Sequence, residues 1–120
     1  MKKMMKGFTL VEIMIVVAII AILAAVAIPN FVKYRKESQK NACISNLKQL
    51  QTGAEQWAMT HTETPSLSDI VGTTADAYVK KNPGDFKCPA GGTGTYSFGT
   101  DSAGNVIPQC GSGDTTHVLP

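Results

Sequence analysis

KGFTLVEIMIVVAIIAILAAVAIP, from Lys6 to Pro29, decides how the rest of the chain is read. Sixteen apolar residues run unbroken from Ile13 to Ile28, and Phe8, Leu10 and Val11 extend the apolar character back almost to the lysines. As a helix, Phe8 to Ile28 covers about 30 Å at roughly 1.5 Å per residue, the thickness of a bilayer's hydrocarbon core. One carboxylate, Glu12, interrupts it. Ionisable residues in such a segment are expensive in lipid and tend to carry a function.

Working outward, Lys2, Lys3 and Lys6 precede the apolar run. The 120-residue chain has a formal charge of +2, but without residues 1–7 the side-chain balance is 8 basic against 9 acidic. The basic excess therefore belongs to the leader. It predicts a cytoplasmic amino terminus by the positive-inside rule and does not predict nucleic-acid binding. One span and that orientation put everything after Pro29 outside the inner membrane. Cys43, Cys88 and Cys110 are then expected in an oxidising compartment, where disulfides persist.

Beyond Pro29 the pattern becomes amphipathic. Cys43, Leu47, Leu50, Ala54 and Trp57 are spaced 4, 3, 4 and 3 apart, a helical stripe. The helix is expected to continue to about Thr60, weakened by Gly53 and kinked or locally broken at Pro29, which lacks an N–H and crowds the Ala25 carbonyl. Ser66 with Asp69 suggests a cap for a short helix holding Leu67, Ile70 and Val71, ended by Gly72. From Lys81 the chain is rich in Gly and Pro and reads as loop. Thr95–Phe98 and Asn105–Ile107 read as the strands of a hairpin, and the closing HVLP as a further short strand. The predicted class is α+β. A long amino-terminal helix, membrane-spanning then amphipathic, packs on a small carboxy-terminal antiparallel β head. The expected divisions are 1–7, 8–29, 30–60 and 61–120.

The leader admits a plain single-pass anchor. It also admits a secretory signal peptide cut after Ala25-Val26-Ala27, though a charge inside the apolar region and the continuing helix speak against that. The string MKKMMKG-FTLVEIMIVVAIIAILAAVAIP as a whole resembles the amino terminus of type IV prepilins and type II secretion pseudopilins. The match covers residues 2 to about 35: a basic leader ending in glycine, then Phe8, then T-L-x-E, an apolar run and a proline. The resemblance implies cleavage between Gly7 and Phe8 by a prepilin peptidase, methylation of the new Phe8 amine, and an assembly role for Glu12. It makes Pro29 the helix-disrupting proline. It also implies a filament of many copies with related minor pilins, built by an assembly ATPase and an inner-membrane platform protein from subunits first held in membrane lipid. Between chains Glu12 would pair with a neighbour's amine, since a paired buried charge is far less costly than a lone one. The alternative is a partnerless carboxylate snorkelling at the membrane edge. Ala18, Ala21, Ala24, Ala25 and Ala27 would permit close helix approach. A small head favours the type II secretion pseudopilin. The alternatives are a type IV pilin for attachment, motility or DNA uptake, and a non-assembling anchored binding domain.

Cys88 and Cys110 flank the predicted hairpin, and a disulfide closing that loop of about 22 residues would contribute roughly 3 kcal/mol. Cys43 needs no partner as a small buried hydrophobe, although a bridge from it to either of the others would pin the head to the helix. His61, His117 and the cysteines show no CxxC or HxxxH spacing, so no metal is expected. Asp101, Asn105 and Asp114 form no defensible calcium loop. No cofactor and no catalytic residue are expected, and the chain is not read as an enzyme. The tail from Cys88 onward resembles, more weakly, small pilin-like heads with a carboxy-terminal cysteine pair. Mass spectrometry of the mature amino terminus checks the leader reading: a methylated Phe8 is expected, whereas an intact Met1 would favour a plain anchor.

Overall fold

The computed structural model describes residues 3–91, 94–113 and 115–120. Lys2 and Asp114, named above, lie outside the described residues. The chain divides into two compact units, Met1–Arg35 and Lys36–Pro120. The helix α1 spans Leu10–Ala58. It is followed by α2 (Leu67–Ile70), β1 (Val71–Gly72), β2 (Val79–Lys80), β3 (Ser97–Thr100) and β4 (Val106–Gln109). The class is α+β, a long amino-terminal helix and a small carboxy-terminal antiparallel sheet.

In the first unit, Lys3–Thr9 has no regular structure and α1 begins at Leu10. The large apolar side chains from Phe8 to Tyr34 are all exposed. A contiguous apolar surface of this extent marks a site that contacts lipid or protein. The helix assignment runs through Pro29 without interruption, so of the kink or local break expected there, the break is absent. Asn30 Nδ2 donates to the Val26 carbonyl at 3.2 Å, next to the Ala25 carbonyl that Pro29 cannot serve.

The second unit is built around the predicted stripe. Cys43, Leu47 and Leu50 are fully buried and Ala54 nearly so, with Trp57 packed at the edge. They meet Ile70, Val71, Phe86, Cys88 and Tyr96 in one core. Phe86 and Tyr96 pack tilted, ring centres 5.2 Å apart, and the Lys81 ammonium lies 5.1 Å over the Phe86 ring. α1 ends two residues before the expected Thr60, where the N–H groups of Met59 and Thr60 turn to the carbonyls three residues back, Gln56 and Trp57, at 3.3 and 3.1 Å. His61 then stacks on the Trp57 indole at 4.3 Å.

The predicted Ser66–Asp69 cap is present: the Ser66 N–H and Oγ donate to Asp69 Oδ2 at 2.8 and 2.6 Å. These bonds hold the Asp69 carboxyl below its usual range. Val71 departs from the expectation. It leaves the helix and pairs with Val79 in a two-residue parallel ladder, with Gly72 opposite Lys80. Nothing local announces such a pairing; its register is set by the buried contacts of Ile70 and Val71. β3 and β4 form a hairpin as expected, Ser97 opposite Gln109 through Thr100 opposite Val106. Its strands run later than the expected Thr95–Phe98 and Asn105–Ile107, and Thr95 is bridged to Lys87 instead. Its turn is held by Asp101, whose carboxylate accepts from the backbone N–H groups of Ala103 and Asn105 and from Asn105 Nδ2. The closing HVLP forms no strand.

Gly53, which weakens the helix intrinsically, has a packing reason to be there. A Cβ at that position would stand 2.6 Å from Ile70 Cγ2 and 3.3 Å from Tyr78 Cβ. Alanine would gain about 1 kcal/mol of helix propensity, while overpacking costs about 1–3 kcal/mol. Gly53→Ala is therefore expected to lose a net ~1 kcal/mol and lower the thermal midpoint by roughly 4–8 °C, followed by near-ultraviolet circular dichroism of the full chain in detergent. A raised midpoint would show that α1 and α2 are not closely packed at this point.

Candidate functional site

Two groups of residues carry chemistry beyond packing. The first is the start of α1. Thr9 caps the helix, and Glu12, in the first turn, turns back to it. Glu12 Oε2 accepts from the Thr9 N–H at 2.7 Å and the Thr9 hydroxyl at 2.9 Å, while the Glu12 N–H donates to Thr9 Oγ1 at 3.2 Å. This is a reciprocal capping box that satisfies helix-start donors. These bonds lie within one chain and are compatible both with pairing to a neighbour's amine and with a carboxylate snorkelling at the membrane edge. Thr9 is a capping residue that the sequence reading did not single out, although T-L-V-E before an apolar run carries the signature of such a box.

Gly7 stands one residue before Phe8 in the irregular segment. A Cβ added to Gly7 would meet nothing within 4 Å, and its φ is not positive. Neither packing nor backbone conformation asks for glycine there. Lys3 and Lys6 are exposed beside it.

The second group lies within the Lys36–Pro120 unit. Cys43 comes from α1, Cys88 from the loop after Phe86, Cys110 from the residue after β4, and His117 from the closing segment. The three sulfurs and one His117 ring nitrogen all lie within 4.8 Å of one another. Cys43 and Cys110 sulfurs are 3.2 Å apart, Cys88 Sγ is 3.4 Å from His117 Nδ1, and Cys110 Sγ is 4.0 Å from it. Cys43, Cys88 and His117 are buried. The Tyr96 hydroxyl, itself receiving a bond from Asn46 Nδ2 at 3.1 Å, donates to Cys43 Sγ at 3.5 Å. Ser112 Oγ lies 3.2 Å from Cys110 Sγ and 3.5 Å from His117 Nδ1.

The sulfurs differ in character. Burial pushes the Cys43 thiol up to about 12. Burial also opposes the Cys110 thiolate, but hydrogen bonds from Ser112 and from the other two thiols outweigh it and bring that group down to about 6.

All three cysteines are free thiols in the structure. Cys88 and Cys110 lie within 4.8 Å of each other as two members of a larger set, in which Cys43 stands 3.2 Å from Cys110. The cysteines and histidines have no CxxC or HxxxH spacing, the ground on which no metal is expected from the sequence. The fold removes that ground by drawing the donors from four separate segments. His61 is not among them: it stacks on Trp57, with Nδ1 within 3.2 Å of the Trp57 carbonyl. Asp101 and Asn105 are engaged with each other in the hairpin turn.

Residues 2–28 match the family profile described as the prokaryotic N-terminal methylation motif. The whole chain aligns with the type IV major fimbrial protein FimA of Dichelobacter nodosus at 34% identity, covering 80% of that protein. It is 39% identical to the competence protein ComGC of Bacillus subtilis over 72% of its own length and 83% of that protein. Against the type IV major pilin protein PilA of Myxococcus xanthus the identity is 54%, over 43% of this chain and 24% of that protein. No solved structure matches. With a fimbrial relative at this identity along its full length and the methylation motif at its amino end, the chain belongs to the type IV pilin family of structural subunits.

Proposed function

We propose that this chain is a building block of a type IV pilus-like filament, held in the inner membrane by α1 before assembly and joined to its copies through the same helix afterwards. The observation that carries the reading is the apolar surface from Phe8 to Tyr34, exposed all round in the single chain, with one carboxylate at its start. Lipid covers that surface in the subunit, and neighbouring helices cover it in the filament.

The leader fits the same sequence of events. Glycine at position 7 has no role in the fold, which supports its being read by something outside the chain, a prepilin peptidase cutting between Gly7 and Phe8. Lys3 and Lys6 support a cytoplasmic location for that cut, with the head outside. Cleavage creates an amine on Phe8, the residue preceding Thr9, and methylation leaves it positive. The Glu12 carboxylate, already bonded to Thr9, stands beside the new charge and the positive end of α1. An incoming subunit docks where a neighbour's amine replaces the solvent side of that carboxylate. Assembly ATPase, platform protein and minor pilins are the expected partners, and no nucleic-acid partner is proposed.

The size of the head supports a type II secretion pseudopilus less than it did from the sequence alone. ComGC, whose name assigns it to competence, is matched over most of its length by residues of this chain, so a small head is not peculiar to secretion. A surface or competence-type pilus is the better-supported reading, and the full-length alignment with a major fimbrial protein favours it.

Glu12→Ala tests the charge pairing. The variant should enter the membrane and be cleaved, while sheared filaments drop below about a tenth of normal by immunoblot, because removing one partner of a buried pair costs about 3–5 kcal/mol. Normal filament yield would contradict the pairing. Thr9→Ala separates pairing between chains from capping within one. It removes the cap, worth about 1 kcal/mol, and should leave filaments in good yield. A defect equal to that of Glu12→Ala would mean that Glu12 acts only within its own helix.

A further inference from the structure

We propose that Cys43, Cys88, Cys110 and His117 form a closed structural site for one zinc ion. Three sulfurs and one imidazole nitrogen are the donor types that borderline-soft zinc takes in structural sites. With Zn–S about 2.3 Å and Zn–N about 2.0–2.1 Å, a tetrahedral site places neighbouring donors roughly 3.5–3.8 Å apart. The distances of 3.2, 3.4 and 4.0 Å bracket that range, and no pair exceeds 4.8 Å. Shifts of a few tenths of an ångström to about one ångström complete the tetrahedron.

The surroundings are those of a structural rather than a catalytic site. Cys43 and Cys88 belong to the hydrophobic core, His117 is 4% exposed, and all four protein donors together fill the coordination, leaving no position for substrate. The sulfurs also have polar supporters. Tyr96, held by Asn46, donates to Cys43, and Ser112 stands between Cys110 and His117. Such outer contacts fix the orientation of ligands and tune their basicity. Nδ1 is the nitrogen that faces the sulfurs.

A disulfide is the competing fate of these thiols in an exported domain. Any pairing uses two sulfurs and strands the third beside a buried imidazole, whereas zinc uses all four groups. Ligation is balanced: one zinc ion and three thiols give three zinc–thiolate bonds and release three protons, fewer where a thiol is already ionised. The ion would tie α1 to the loop after Phe86, to the end of β4 and to the closing segment. A core of this modest size commonly needs such a staple.

The test is elemental analysis and mass spectrometry of the full chain, purified in detergent without chelator. About one zinc per chain is expected, with three cysteines that become alkylatable only after chelation or denaturation and a denatured mass showing no loss of hydrogen. Cobalt(II) exchanged into the site should give thiolate-to-metal charge-transfer absorption. His117→Gln should weaken zinc retention at least about tenfold against a competing chelator, and His61→Gln should leave it unchanged. A chain isolated without metal, or with a disulfide between any two of the cysteines, overturns the proposal. So does zinc whose retention is indifferent to His117→Gln. Because the wild-type stoichiometry is measured directly, a variant that fails to fold does not shield the proposal.

Discussion

Glu12 is the sole charged side chain between Lys6 and Lys33, and the behaviour of the amino-terminal helix turns on how that charge is satisfied. An unpaired carboxylate in an apolar medium would be costly enough to keep the segment at the membrane edge. The capping box changes the balance. Two hydrogen bonds from Thr9 reach the carboxylate, and the helix start adds its own positive end. The charge is thereby partly satisfied within its own chain before any partner arrives. On the proposed reading, cleavage places a full positive charge one residue from that box, and assembly exchanges surroundings without ever leaving the carboxylate bare.

The second constraint is the size of the head. Among the described residues, the hydrophobic core of the Lys36–Pro120 unit takes four of its nine members, Cys43, Leu47, Leu50 and Ala54, from α1. The β elements are short, two of them only two residues long, and could not close a core by themselves. The amphipathic half of α1 is therefore as much a part of the head as the hairpin is. Its close approach to α2 depends on Gly53, and the sulfur–imidazole cluster joins it to the loops that lack regular structure. One helix thus serves two environments: apolar on all sides up to Ile28, and a single buried stripe from Cys43 onward.

Periodicity carried most of this. The unbroken apolar run and the 4, 3, 4, 3 spacing announced the two halves of α1, because burial follows helical geometry whatever the partner is. The alternation around Thr95–Phe98 and Asn105–Ile107, with turn residues between, announced the hairpin. What escaped was non-local. The Val71–Val79 pairing depends on tertiary contacts that a two-residue strand does not encode. The meeting of Cys43, Cys88, Cys110 and His117 joins residues up to 74 positions apart in the chain, with no spacing rule to signal it. Thr9 was legible and overlooked: its pattern with Glu12 is the same box that was recognised at Ser66 and Asp69. At Pro29 the helix continues where a break was one of the two expectations; a proline's missing N–H removes one bond of the ladder without ending it.

The central claim is that the Phe8–Tyr34 surface exchanges lipid for other copies of itself. A lipid-soluble photoactivated carbene reagent, applied to cells and followed by peptide mapping of membrane and sheared-filament fractions, tests it most directly. The account predicts strong labelling of Ile13–Ile28 in the membrane fraction and near-complete protection of the same residues in filaments. Equal labelling in both fractions would contradict it.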